Sequence, residues 1–147
     1  MLISCKGAAL CQRGFRSITC RAFPFFPYIN SSNEFLGLSY YWDYEDRCWV
    51  ISNLEVVTPE YRAEFISVYE ELLNQYPEEF ESFKSHSSYM RKLFHRRRRV
   101  IPLLHRNGGY YKLSPGSERM RKVMAAELPK FGPYKIAADL PFPDENE

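Results

Sequence analysis

The residues best equipped for chemistry are four consecutive arginines, Arg96, Arg97, Arg98 and Arg99. Arg91, Lys92, Arg106, Lys112, Arg119, Arg121 and Lys122 surround them, so residues 91–122 carry eleven cations against Glu118 as the one acid. A guanidinium offers phosphate a planar fork of donors. Four successive residues on a helix point in every direction, so some of the four must face a partner, an acidic cluster or water. The run therefore suits RNA or DNA phosphates, anionic lipid head groups, or the carboxylates of a neighbouring subunit. A basic helix followed by a hairpin also has the order of a reading helix and its wing. This helix is long for that role, and a bare proline joins it to its predecessor.

Aromatic residues make up 16% of the chain, from 11 Phe, 11 Tyr and 2 Trp. Phe23, Phe25, Phe26 and Tyr28 alternate with prolines, and Tyr40, Tyr41, Trp42 and Tyr44 form a second group close to Trp49. Rings that stack bases normally sit among cations, whereas Asp43, Glu45 and Asp46 here would repel phosphate. Both groups read as core and as anchors for another protein.

Catalytic patterns are weak. Glu70-Glu71 and Glu78-Glu79 are adjacent pairs on helical faces and do not converge on one substrate. Cys48 lies in a strand-like run with no turn to expose it, which is the setting of a small buried residue and not of a nucleophile. Gly108-Gly109 lacks the Lys-Ser sequel of a phosphate loop. Cys5, Cys11 and Cys20, with His86, His95 and His105, show no metal-ligand spacing. No enzyme, cofactor or metal is expected, with a small enzyme of unspecified class as the least favoured alternative.

Charge is divided along the chain, although the net charge is only +2. Residues 1–22 hold Lys6, Arg13, Arg16 and Arg21 and no acid; residues 23–90 hold twelve acids against Arg47, Arg62 and Lys84; residues 91–147 hold thirteen cations against six acids. Unless folding brings the blocks together, the molecule has two electrostatic faces. The first block is basic, hydroxylated and scattered with Leu2, Ile3, Leu10, Phe15 and Ile18, a composition that resembles a mitochondrial presequence, with Arg13-Gly14-Phe15 as a processing site. The alternative is a basic arm that stays attached and binds a partner; the alternative address is the cytoplasm. Removal of 1–22 would leave Cys48 as the sole cysteine and no disulfide within the chain. No apolar run is long enough for a transmembrane helix.

The elements that position these groups follow from pattern. Residues 23–34 read as an extended aromatic and proline strap ending in the turn Asn30-Ser31-Ser32-Asn33. Residues 35–42 and 48–57 have strand composition and predict a first hairpin with an acidic tip. Thr58-Pro59-Glu60 starts a helix carrying Tyr61, Phe65, Val68, Tyr69, Leu72 and Tyr76 on one stripe. Pro77 separates it from a second helix with Phe80, Phe83, Ser87, Met90 and Phe94 facing inward. Pro102 follows the second helix. Residues 100–105 and 110–113 flank the turn Arg106-Asn107-Gly108-Gly109 as a second hairpin. Ser114-Pro115 predicts a third short helix reaching Leu128, with Met120, Val123, Met124 and Leu128 inward. The result is an α+β fold: one domain over 35–128 behind a presequence or arm (1–22) and a strap (23–34), followed by an extended tail (129–147).

The function these features favour is that of a non-catalytic accessory subunit of a large assembly on the matrix side of mitochondria, either the ribosome or a respiratory or ATP-synthase complex. Its partners would be other protein subunits, with RNA or anionic lipid beneath the arginines. A stand-alone nucleic-acid-binding regulator is the alternative from another class.

Overall fold

Thr58 and Pro59 open the first long helix as expected in the computed structural model, which describes residues 10–134. The Thr58 hydroxyl accepts from the Tyr61 amide at 3.1 Å, and Pro59 takes a first-turn position where no amide proton is needed. This helix, α2 (Pro59–Gln75), follows a five-residue helix, α1 (Ile18–Ala22), and precedes α3 (Pro77–Arg96). Tyr76 has extended dihedrals, ends α2 and starts α3, because Pro77 bars its predecessor from the helical region.

Five strands form one antiparallel sheet in chain order: β1 (Phe25–Ile29), β2 (Phe35–Tyr40), β3 (Ile101–His105), β4 (Tyr110–Leu113) and β5 (Met120–Val123). Side chains alternate across the sheet, and each face has its own helix. Phe25, Leu38, Tyr40, Leu104 and Val123 pack with Phe65, Ile66 and Tyr69 of α2. Phe26, Tyr28, Ile101, Leu103 and Leu113 pack with Met90 and Phe94 of α3. Burial on both faces explains the nearly continuous apolar character of β1 and β3.

The aromatic strap is thus a strand. Pro27 is tolerated within it because β1 lies at the sheet edge, and Pro24 precedes the strand. The Tyr41 amide donates to the Pro24 carbonyl at 2.9 Å, so the ladder alternation turns the Pro27 nitrogen outward, where no donor is required. At the bulge beside Ile29, α3 supplies what a further strand would have supplied. The Ile29 amide donates to Ser87 Oγ at 3.0 Å, and its carbonyl accepts from Arg91 Nη1 at 3.0 Å.

Residues 48–57 are not the partner of β2. They form two short 3-10 turns, Trp49–Ser52 and Leu54–Val56. Both edges of β2 are already occupied, by β1 and β3. The apolar residues Ile51, Leu54 and Val57 recur every third position, the period of a 3-10 helix, and all three enter the core on the α2 face. Cys48, expected to be buried, is half-buried at the start of the first of these turns.

The expected third helix is also replaced. Ser114-Pro115-Gly116-Ser117 makes a tight turn instead of a helix start, since serine followed by proline suits the opening of a turn equally well. The Ser114 amide donates to the Arg119 carbonyl at 2.9 Å, and the chain returns as β5 beside β4. Val123 and Leu128 are inward as expected, while Met120 and Met124 are exposed. Val68 and Tyr76, placed on the inner stripe of α2 by spacing, are exposed too.

The folded unit extends beyond 35–128. Ala22 of α1 is buried, and the Tyr61 hydroxyl donates to the Arg21 carbonyl at 2.8 Å. After residue 128 the Phe131 amide donates to Ser52 Oγ at 2.7 Å, and the Tyr134 hydroxyl donates to the Glu45 carbonyl at 2.9 Å. The first nine residues of the presequence-like segment and the tail beyond 134 lie outside the described residues.

Helix α3 ends inside the arginine run. The Arg99 amide donates to the Phe94 carbonyl at 2.9 Å and the Arg98 amide to the His95 carbonyl at 3.1 Å, with Arg98 at φ +53°. This is the Schellman arrangement, with arginine at the left-handed position that glycine usually fills. Left-handed backbone costs a side-chain-bearing residue on the order of 1 kcal/mol, partly offset by the lower unfolded-state entropy of a non-glycine. Arg98→Gly is expected to raise stability by about 0.5 kcal/mol, read as a higher urea midpoint with unchanged slope.

Candidate functional site: a cationic surface on helix α3 and the β4–β5 hairpin

The helix stop sends the four arginines to different environments. Arg99 is turned inward, where Nη1 and Nη2 donate to Oε1 and Oε2 of Glu45 and the guanidinium lies 4.4 Å from the Phe94 ring centre. The hydrogen bonds from Arg99 to Glu45 hold its pKa above the ordinary arginine value. Arg96, Arg97 and Arg98 are exposed and have no ion-pair partner among the described residues.

Two further members of the expected cluster are neutralised within the fold. Arg91 donates to the Tyr28 hydroxyl at 3.0 Å and lies 3.5 Å from Oε1 of Glu118. Glu118, at φ +56°, also accepts from the Ser31 amide at 3.0 Å and from its hydroxyl. Arg106 donates to Glu70 at 2.9 Å and to the Phe35 carbonyl at 3.3 Å. Lys92, Arg96, Arg97, Arg98, Lys112, Arg119, Arg121 and Lys122 make no ion pair among the described residues.

These eight cations lie along α3, around its end and on both faces of the adjoining hairpin, Lys112 and Arg121 on the α2 face with Tyr110 and Val123, Lys122 on the α3 face with Tyr111. A methyl group at Gly116 would lie 3.2 Å from Nδ1 of His95, so the turn carrying Arg119 packs against the last turn of α3, beside Arg96, Arg97 and Arg98. On β4 and β5, Lys112 and Arg121 are directly opposite one another in the register. Directly opposed like charges destabilise a pair of strands. Lys122 projects on the other face of β5, with Cε 3.2 Å from where a Gly109 methyl would stand. By contrast, Glu60, Glu64, Glu70 and Glu71 of α2, and Glu78, Glu79 and Glu81 at the start of α3, are exposed. Charge segregation along the chain thus persists on the surface, with Arg99–Glu45 and Arg106–Glu70 as the ion pairs that bridge its halves and Arg91–Glu118 as one within the basic block.

Burial changes the role of most of the aromatic anchors. Phe25, Phe26, Tyr28 and Tyr40 belong to the protein's own core, because the strap carrying the first three is a sheet strand. Tyr41 and Trp42 are half-buried against α3. Phe23 and Tyr44 are exposed and meet edge-to-face at 4.9 Å.

The structure also brings forward residues not expected from sequence. Tyr89, 54% exposed, lies against Trp42 with ring centres 5.8 Å apart, and Trp42 stacks on His86 at 4.9 Å. Burial among these rings pushes the His86 pKa below its ordinary value, against the opposing charge of Asp43. Lys84, Ser85, Ser88, Tyr89 and Lys92 recur at three- and four-residue steps, the signal by which they could have been found. Arg62 is buried and makes no ion pair among the described residues; Nη1 donates to the carbonyls of His105 and Gly109, and burial lowers its pKa. It secures the β3–β4 turn that carries Arg106.

Among the described residues, no group of His, Cys, Asp and Glu is placed to hold a metal ion, and no helix is long and apolar enough to cross a membrane. A groove of 520 Å³ between α1 and α2 is lined by Arg16, Arg21, Tyr61, Phe65 and Val68. No protein family, characterised protein or solved structure matches this chain.

Proposed function

We propose that the protein is a non-catalytic accessory subunit of a large mitochondrial ribonucleoprotein assembly, such as the ribosome, and that it docks on RNA. Lys92, Arg96, Arg97, Arg98, Arg119 and Lys122 would contact phosphates, with Lys112 and Arg121 on the other face of the hairpin, and the acidic outer face of α2 would be turned away from the RNA. The observation that carries this reading is the exposed end of α3, where Arg96, Arg97 and Arg98 find no carboxylate among the described residues. An RNA backbone would neutralise these charges and use the forked geometry of the arginines. The mitochondrial address rests on the acid-free composition of residues 1–22. A cut at Arg13-Gly14-Phe15 would spare α1, whose Ala22 belongs to the core.

The test is binding of a structured, double-helical RNA to the full chain across a salt series. Arg96→Gln, Arg97→Gln and Arg98→Gln together are expected to weaken binding about 10- to 100-fold and to flatten the salt dependence by two to three ions, roughly one for each phosphate no longer neutralised. No RNA binding by the wild-type chain, together with salt-sensitive binding to cardiolipin vesicles or to an acidic mitochondrial subunit, would overturn the RNA reading in favour of that partner.

A further inference from the structure

We infer that the outer face of α3 around Tyr89 is a binding site for a single-stranded nucleotide segment, in which a base stacks on Tyr89 while Lys84 and Lys92 hold the flanking phosphates. The inference rests on the RNA reading and adds to it a place and a strand preference. Glu81, Lys84, Ser85, Ser88, Tyr89 and Lys92 border one cavity of 330 Å³ on this face. Each has a separate part in such a site. Tyr89 presents an exposed ring, and Trp42 behind it fixes its orientation. Trp42 is itself held, parallel to His86 at 4.9 Å and edge-on to Phe94 at 6.3 Å. An aromatic ring already ordered loses little freedom when a base settles on it.

Cations flank the ring along the helix. Lys84 lies more than one turn before Tyr89, Lys92 nearly one turn after it, and Arg96 one turn further, toward Arg97 and Arg98. A strand that stacks one base on Tyr89 can therefore lead its phosphates into the cationic end of α3. The Ser85 and Ser88 hydroxyls can exchange hydrogen bonds with ribose hydroxyls. Glu81 is the one acid at the cavity, and it cannot favour phosphate. A carboxylate does accept from the exocyclic amino group of cytosine, a donor that uracil lacks. A duplex keeps its bases stacked within the helix and cannot offer a face to Tyr89. The dense aromatic group around Trp42 has acidic sequence neighbours, but the ring presented to solvent on α3 has lysines beside it.

The experiment is fluorescence anisotropy with labelled oligocytidylate, oligouridylate and a double-helical RNA, using the full chain. Tyr89→Ala is expected to weaken oligocytidylate binding about tenfold and to leave duplex binding unchanged, whereas Tyr89→Phe binds both as the wild type does. Glu81→Ala, which removes the acceptor, is expected to erase a preference for oligocytidylate over oligouridylate. If Tyr89→Ala binds oligocytidylate as well as the wild type while the triple Arg→Gln variant loses the duplex, the Tyr89 site is wrong and the phosphate contacts stand. If the wild-type chain binds none of the three RNAs, both readings fall.

Discussion

Adding one methyl group at Gly37 is expected to destabilise the protein by about 4 kcal/mol, near the upper end of single-substitution effects. A Cβ at this position would lie 2.0 Å from the Leu104 carbonyl oxygen, 3.0 Å from its carbon and 3.1 Å from the Arg106 nitrogen, all of them backbone atoms. No rotamer change relieves such a contact. Gly37 pairs with Tyr28 of β1 and His105 of β3, and its φ of +154° is itself a conformation that side-chain-bearing residues rarely adopt. An alanine must therefore push β3 away from β2 between two cores that both depend on their spacing. The 2.9 Å bond from the Arg106 amide to the Leu36 carbonyl would go with it. A fall in Tm of roughly 15 °C is the expected reading for Gly37→Ala. Gly108→Ala is the control: Gly108 has φ +100° but no atom within 4 Å of the added carbon, so only backbone strain of about 1 kcal/mol applies. Equal losses in the two variants would show that the close approach of β2 and β3 contributes nothing.

Gly37 also shows why parts of this fold were legible and others were not. Local chemistry announces itself: the Thr58-Pro59 cap, the Pro77 break and the Asn107-Gly108-Gly109 turn each act within a few residues, and each forms as expected. Pairing over distance leaves weaker traces. Nothing local in Phe25-Phe26-Pro27-Tyr28-Ile29 says that Pro27 will face outward from a sheet edge, because that depends on which strand takes the other side of β2. Once β3 occupies that side, residues 48–57 have no ladder to join. Their three-residue apolar step then decides for 3-10 turns over the strand propensity of Val50, Ile51, Val56 and Val57. Ser114-Pro115 is ambiguous for a different reason, since the same two residues open helices and turns alike.

The cationic surface was legible as composition and not as geometry. Eleven cations stand out in the sequence, but which of them remain unpaired depends on where three acids arrive. Glu45 lies 54 residues from Arg99, Glu70 lies 36 residues from Arg106, and Glu118 reaches Arg91 from a left-handed backbone position. Tyr89 does not stand out in the sequence because its significance is shared with Trp42, which precedes both long helices in the chain and meets it only in the fold.

Breaking the pair between Arg99 and Glu45 is expected to cost about 3 kcal/mol, because the fold surrounds it with groups that have no other partner. The Glu45 carboxylate receives both Arg99 bonds and the Tyr40 hydroxyl at 2.7 Å. The guanidinium lies between the rings of Phe94 at 4.4 Å and Phe131 at 5.4 Å. One contact thereby ties together the end of α3, the end of β2, the turn after Trp42 and the segment beyond Leu128. Glu45→Ala leaves a guanidinium against two rings without its counter-ion and a buried tyrosine hydroxyl without its acceptor. Arg99→Ala leaves the carboxylate with the tyrosine alone and removes the stacking as well. Replacing both partners with alanine removes the unpaired charges that make each single loss expensive, so the double variant should be less destabilised than the two single costs added together. A double-mutant cycle by urea denaturation should return a coupling of about 2 kcal/mol, above the range of an exposed ion pair. A coupling near zero would mean that solvent reaches the pair freely, and that the arginine run leaves the α3 terminus with all four of its charges available to a partner.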